Sequence, residues 1–138
     1  MGDNSEAIRR YREAVQSGDL GSMSALIDDL AADEFVQEWP QSGERIRREN
    51  SKKLAEQYSE QTGTSPTMQL QGIRESGDLV VIEGTIDYGN GVPVRYVGIG
   101  EFRDGKVQRM TEYFADPFEA PAWRAPFVEQ MAAAGDVV

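Results

Sequence analysis

An acidic residue stands among apolar residues in the last part of the chain. Residues 97–114 read VGIGEFRDGKVQRMTEYF, two alternating runs joined by an Asp-Gly pair at 104–105. An Asp-Gly pair tolerates the positive φ angles of a tight hairpin, so the two runs are predicted to form antiparallel strands. Residues two apart share one face of a strand. On the second strand that face carries Gln108, Met110, Glu112 and Phe114. Glu112 is therefore a candidate acid or base for proton transfer.

The predicted surroundings of Glu112 favour this chemistry. Apolar neighbours disfavour the charged form of a carboxylate, which prepares it to exchange protons with a substrate. The residues predicted to bind a substrate beside Glu112 are Tyr11, Gln37, Trp39, Ile82, Tyr96, Gln108, Met110 and Phe114. The alternative is a structural role, in which a neighbouring arginine or water satisfies the Glu112 carboxylate.

Composition bounds the class of protein. The 138 residues fit one domain, 1–138, and the formal charge of -10 disfavours binding to nucleic acid or to an anionic membrane. The absence of cysteine and histidine removes disulfides, thiolate nucleophiles and the usual zinc sites. The negative charge fits a neutral or cationic small ligand better. With the apolar surroundings of Glu112, we expect a hydrophobic small molecule as partner, with no metal and no cofactor. The first residues lack the apolar core of a secretory signal, which predicts a cytoplasmic protein.

The first half of the sequence is predicted to be mainly helical. Apolar residues at helical spacing predict one helix over about residues 4–17, and a second that Asp19 caps and that ends near residues 28–30. A strand follows over residues 34–39, with Phe35, Gln37 and Trp39 on one face, and ends at Pro40, which has no amide hydrogen to donate. Residues 44–61 are predicted to form a third helix, lying on the surface because its apolar stripe is thin.

The second half is predicted to be a meander of four strands, over residues 67–75, 79–88, 93–103 and 106–115. Alternate residues of a strand point to the same face of the sheet. By this rule, which is called strand parity, one inner face carries Val80, Ile82, Gly84, Ile86 and Tyr88. On the next strand, Gly98 and Gly100 share a face with Tyr96. These glycines either leave empty volume for a pocket or mark bulges that curve the sheet.

A proline-rich aromatic segment begins at about residue 116. It carries Phe118, Trp123 and Phe127, large side chains that need to be covered. Two arrangements would cover them: closure of the open end of the sheet, or packing against a second subunit.

Taken together, these elements resemble a known superfamily. Two opening helices with RRYREAVQSGDL, a strand ending EWPQSGERI, a surface helix, GEFRDGKVQRMTEYF and a Pro-aromatic tail are similar to nuclear-transport-factor-2-like proteins of the SnoaL-like branch. The resemblance covers nearly the whole chain. It implies an α+β fold in which a cone-shaped, curved antiparallel sheet packs on N-terminal helices around a pocket, and often a homodimer. Members include ketosteroid isomerases, epoxide hydrolases, dehydratases, polyketide cyclases and binding proteins.

Residues that carry activity in the enzyme members are only partly present. At the positions of the two ketosteroid isomerase acids, this sequence has Trp39 and Gly100, although Tyr11 resembles the oxyanion-binding tyrosine. Glu112 resembles the last acid of the limonene-epoxide-hydrolase-like members, whose middle-strand Arg and Asp are here Gly84 and Ile86. A dehydratase mechanism that relies on histidine is excluded. The resemblance thus implies a pocket with one candidate acid.

Three functions remain open from the sequence. The first is an isomerase, cyclase or hydrolase that acts on a hydrophobic carbonyl or epoxide compound through Glu112. The second is a non-catalytic protein that binds a ligand in the same pocket. The third is a dimerisation module whose cavity is filled by its own side chains.

Overall fold

Three helices pack on one side of a six-stranded sheet. The computed structural model describes residues 4–18, 20–63 and 66–131. Its helices are α1 (Ser5–Gln16), α2 (Leu20–Leu30) and α3 (Arg48–Thr62). The strands are β1 (Ala31–Trp39), β2 (Glu44–Arg47), β3 (Thr67–Ser76), β4 (Leu79–Asp87), β5 (Val94–Arg103) and β6 (Lys106–Ala115), and a 3₁₀ helix spans Ala122–Phe127. The predicted Asp19 cap lies outside the described residues. Within them, none of the helices has the length and apolar character needed to cross a bilayer.

The sheet is open and has the order β2-β1-β6-β5-β4-β3. Every junction is antiparallel except the one between β1 and β6, which is parallel. Bulges interrupt the register of three junctions, and a bulge bends its strand and increases the local twist. The predicted α+β class, with the sheet packed on the N-terminal helices, is confirmed, and the four strands of the meander lie within one residue of their predicted bounds.

The segment after β1 differs from its prediction. Residues 44–47 form strand β2 instead of the first turn of a helix, and α3 begins only at Arg48. Gly43 adopts a positive φ of 74°, and its amide donates to the Trp39 carbonyl at 2.9 Å, which closes a tight turn. The turn sends the chain back along β1, where Ile46 becomes buried. Turn geometry and pairing thus override the helical composition of this segment.

The core lies between α1 and the inner face of the sheet. Its largest fully buried side chains are Tyr11, Val15, Phe35, Val80, Ile82, Phe102 and Val107. The predicted inner face of β4 is buried at Val80, Ile82, Gly84 and Ile86, and half-buried at Tyr88. Helix α3 contributes little to this core, since Leu54 and Tyr58 stay exposed.

The glycines of β5 make room for side chains of the sheet itself. A Cβ atom on Gly98 would lie 2.5 Å from the Tyr96 hydroxyl oxygen, and one on Gly100 would lie 3.2 Å from the Phe102 ring. Neither glycine is the extra residue of the β5–β6 bulge, which is Gln108 on the opposite strand. The volume is therefore occupied, and at Gly98 the occupant is Tyr96.

The aromatic segment at the end of the described chain does not close the sheet. Phe118, Trp123 and Phe127 are 81%, 72% and 81% exposed. Two prolines, Pro117 and Pro121, precede the 3₁₀ helix in a stretch without regular structure, and proline cannot donate to a sheet. The first of the two predicted arrangements for these side chains is therefore wrong.

The close contact at Gly98 predicts a specific loss of stability. Gly98→Ala should lower the free energy of unfolding by about 1–3 kcal/mol, because the methyl group forces Tyr96 out of its position. Gly72→Ala is the matched control, since a Cβ there meets nothing within 4 Å. Urea unfolding of both variants measures the difference. Equal stability of the two variants would contradict the packing described for Tyr96.

Candidate functional site

A cavity of about 530 Å³ lies between the inner face of the sheet and helices α2 and α3. The strands supply one wall because side chains of one parity face inward, among them Phe35, Gln37 and Trp39 of β1. The helices supply the other wall through their apolar stripes, Met23 and Ile27 on α2 and Leu54, Ala55 and Tyr58 on α3. The stripe of α3 therefore faces the cavity and not the packed core.

Glu112 lies on this cavity with both carboxylate oxygens bonded. Its Oε1 accepts hydrogen bonds from Gln37 Nε2 and from Trp39 Nε1, the latter at 2.9 Å. Its Oε2 accepts a hydrogen bond from the Tyr96 hydroxyl. The expected arginine partner is absent, since the donors that the described residues provide are an amide, an indole and a phenol. These neutral donors replace the water that the half-buried carboxylate loses.

Strand pairing explains why these donors meet. Gln37 and Trp39 share one face of β1, and Gln37 pairs with Met110 of β6, two residues before Glu112. On the other side of β6, Glu112 pairs with Gly98 of β5. Because Gly98 has no side chain, the Tyr96 ring lies over it and brings its hydroxyl to Glu112.

A fourth side chain contacts the amide of Gln37. The hydroxyl of Ser51 on α3 donates to Gln37 Oε1 at 3.0 Å. The Glu112 carboxylate can only accept hydrogen bonds, so the NH₂ group of Gln37 must face it, and this leaves Gln37 Oε1 to accept from Ser51. The contact joins helix α3 to a donor that belongs to the sheet.

Aromatic packing holds the donor rings in place. Phe114 contacts Trp39 edge to face, with ring centroids 6.0 Å apart, and contacts Tyr96 at 5.4 Å. Such pairs add to the stability that area burial provides. The rings around Glu112 are therefore fixed before any ligand arrives.

Three tyrosines on the cavity are protected against ionisation. Burial, followed by the charge of Glu112, raises the pKa of Tyr11 and the pKa of Tyr96 well above the ordinary value of 10.0. Burial also raises the pKa of Tyr88 to about 12, with smaller contributions from Tyr58 and Glu112. These phenols are neutral donors at physiological pH. Within the described residues the Tyr11 hydroxyl makes one weak contact, to Met110 Sδ at 3.8 Å, so it can turn to a ligand oxygen.

Most residues singled out from the sequence come together on the cavity. They are Tyr11, Gln37, Trp39, Tyr96, Met110, Glu112 and Phe114. The other two predicted residues, Ile82 and Gln108, are not among the described residues that line the cavity. Ile82 is fully buried in the core. Gln108 is the extra residue of the β5–β6 bulge and donates to the carbonyls of Arg103 and Lys106.

Ser51 and the two cavity walls that α2 and α3 supply were not predicted from the sequence. The stripes of α2 and α3 were visible as helical periodicity, but periodicity does not tell a side chain that faces a cavity from one that faces a core. No pattern marked Ser51, because a serine on a polar helix has many structural uses. Its role follows only from the position of α3 across the cavity.

The SnoaL-like domain family matches residues 8–110. The chain therefore belongs to the SnoaL-like family, and the resemblance inferred from its sequence is confirmed. None of the proteins with curated descriptions matches the chain.

Solved structures agree with this family. An NTF-2 like protein of unknown function from Burkholderia xenovorans LB400 is 37% identical, with 95% of this chain and 100% of that chain covered and a TM-score of 0.74. A candidate ketosteroid isomerase from Kribbella flavida is 22% identical over 93% and 89% of the two chains, with a TM-score of 0.75. An LEH-like epoxide hydrolase from M. tuberculosis is 24% identical over 80% and 84%, with a TM-score of 0.57. The last two show the shared fold alone.

The buried tyrosines predict a loss of stability in alkali. As pH rises through about 10 the unfolded chain releases phenol protons that the folded chain keeps, so stability falls with a slope that approaches about 1.4 kcal/mol per pH unit for each fully buried tyrosine near pH 11. Tyr11→Phe should reduce this slope by about that amount. The control is Tyr113→Phe, which alters an exposed ring. Urea unfolding between about pH 9 and pH 11 measures the slopes, and identical slopes for the two variants would contradict the assignment.

Proposed function

We propose that the protein binds a mainly apolar small molecule in the cavity, with the polar group of that molecule at Glu112. The observation that carries this proposal is a bonded carboxylate on the wall of a cavity of about 530 Å³. Ligand sites have volumes of roughly 300–1,000 Å³, apolar walls and a few fixed polar groups that orient the ligand. A cavity filled by the protein's own side chains, as a pure dimerisation module would have, does not fit this volume.

A second candidate is acid–base catalysis by Glu112. Its Oε1 accepts two hydrogen bonds from the protein and its Oε2 accepts one, which leaves Oε2 able to accept a proton from a substrate. In an isomerisation of a carbonyl compound, Glu112 would remove a proton from the carbon next to the carbonyl group. The Tyr11 phenol would donate a hydrogen bond to the carbonyl oxygen, which becomes negative. The relatives named as an epoxide hydrolase and a candidate ketosteroid isomerase are consistent with chemistry in such a cavity.

Ligand screening of matched variants tests both candidates. A thermal-shift panel of apolar ketones, lactones, epoxides, polyketide-like aromatics and amines should yield compounds that stabilise the wild type. Ala55→Phe should abolish the shift because the ring fills the cavity, whereas Glu56→Phe, on the exposed side of α3, should retain it. A panel without any shift, or equal shifts for the two variants, would contradict binding in the cavity.

Mass spectrometry of each compound after incubation separates binding from catalysis. If Glu112 is an acid or base, the wild type converts the compound, and Glu112→Gln lowers the rate by roughly 100-fold or more while binding persists. Binding without conversion by the wild type would reject the catalytic candidate and leave the binding proposal intact.

We also propose that the exposed aromatic segment pairs two copies of the chain. The support is the exposure of Phe118, Trp123 and Phe127, since monomeric proteins seldom leave a large apolar patch uncovered. Sedimentation equilibrium should then give a dimer for the wild type and for the control Glu119→Ser, and a monomer for the double variant Trp123→Ser/Phe127→Ser. A monomeric wild type would contradict the proposal.

A further inference from the structure

The charge of Glu112 has no cationic partner on the cavity. Among the described residues that line the cavity there is no lysine, arginine or histidine. Residues 1–3, 19, 64–65 and 132–138, which the structure does not describe, include no lysine, arginine or histidine in the sequence. Arg48, which lies one turn before Ser51, donates to the Asp28 carbonyl at 3.3 Å instead. Three neutral donors satisfy hydrogen bonds of the carboxylate, but they do not cancel its charge.

The polar donors next to Glu112 are already in use. Gln37, Trp39 and Tyr96 each donate to its carboxylate. A ligand carbonyl beside Glu112 would have to break one of those bonds or reach the Tyr11 hydroxyl, which contacts Met110 Sδ. A ligand carboxylate or phosphate would meet the Glu112 charge directly. A ligand that donates a hydrogen bond, by contrast, finds the remaining acceptor position on Oε2.

The walls favour positive charge as well. Nineteen of the described residues line the cavity and seven of these are aromatic, out of twelve aromatic residues in the whole chain. Trp39, Tyr96 and Phe114 surround Glu112, and Tyr58 and Tyr88 form a second pair, with centroids 5.8 Å apart. Aromatic faces attract cations, most strongly where water is excluded. The net charge of -10 draws cations towards the protein from a distance.

We propose that the cavity binds a lipophilic organic cation, an amine that is protonated at neutral pH. Its ammonium N–H donates to Glu112 Oε2, and its hydrocarbon part lies against the aromatic and aliphatic walls. This inference rests on the proposed binding function and specifies the chemical class of the ligand.

Three probes with one skeleton and different charge test the inference on the wild-type protein. They are adamantylmethylamine, adamantylmethanol and adamantanecarboxylate, whose binding is measured by isothermal titration calorimetry at neutral pH. The amine should bind at least roughly tenfold more tightly than the alcohol, since a charge-assisted hydrogen bond is about twice as strong as a neutral one and the cation also contacts the rings. The carboxylate should bind most weakly of the three.

The Glu112→Gln variant identifies the group responsible. It should remove the preference for the amine over the alcohol, because the neutral amide that replaces the carboxylate carries no charge to attract the ammonium group. The trimethylammonium derivative of the amine has no N–H, so in the wild type it should retain cation–aromatic contacts and lose the hydrogen bond to Oε2. It should bind more weakly than the amine and more tightly than the alcohol.

The outcomes distinguish the binding of a small molecule in the cavity from the cationic class of that molecule. Equal affinity of the wild type for amine and alcohol would overturn the cationic class and leave binding of small molecules in place. No binding of any probe by the wild type would count against both. The comparison of probes needs no variant, so it holds even if Glu112→Gln does not fold.

Discussion

A carboxylate inside a largely apolar cavity has to be stabilised by the protein, and this requirement shapes the site. The donors to Glu112 come from both sides of β6: two lie on β1 and one lies on β5. Hydrogen bonds of this kind offset the loss of water around a charged group. Glu112 therefore couples the two halves of the sheet across β6.

Small local features make that coupling possible. Gly98 leaves the space over which Tyr96 lies, and the turn that follows Trp39 ends β1 where the indole N–H still reaches the carboxylate. Phe114 fills the gap between the two rings. Interiors are close-packed, so each of these residues restricts its neighbours. Helix α3 forms one wall of the cavity, and its apolar side chains line the cavity without filling the core below it.

Much of this arrangement follows from strand parity. Alternation alone grouped Phe35 with Gln37 and Trp39, and Met110 with Glu112 and Phe114, and the structure brings these two groups onto one cavity. Parity failed at Gln108, because the bulge inserts one residue and shifts the alternation on one side of it. Composition failed at residues 44–47, where pairing with β1 outweighs helix propensity. The Ser51 contact depends on how a helix crosses the sheet, and no local pattern encodes that.

The parallel junction between β1 and β6 also bears on how the molecule folds. Gln37 and Trp39 are 75 and 73 residues away from Glu112 in the sequence, and the strand pair that joins them includes the last strand of the sheet. Closing a loop of that length costs entropy before any contact compensates it, so contacts of high sequence separation form slowly. During synthesis the first strand must wait until β6 has been made. The hydrogen bonds between β1 and Glu112 therefore form late in folding, after β6 has paired with β1.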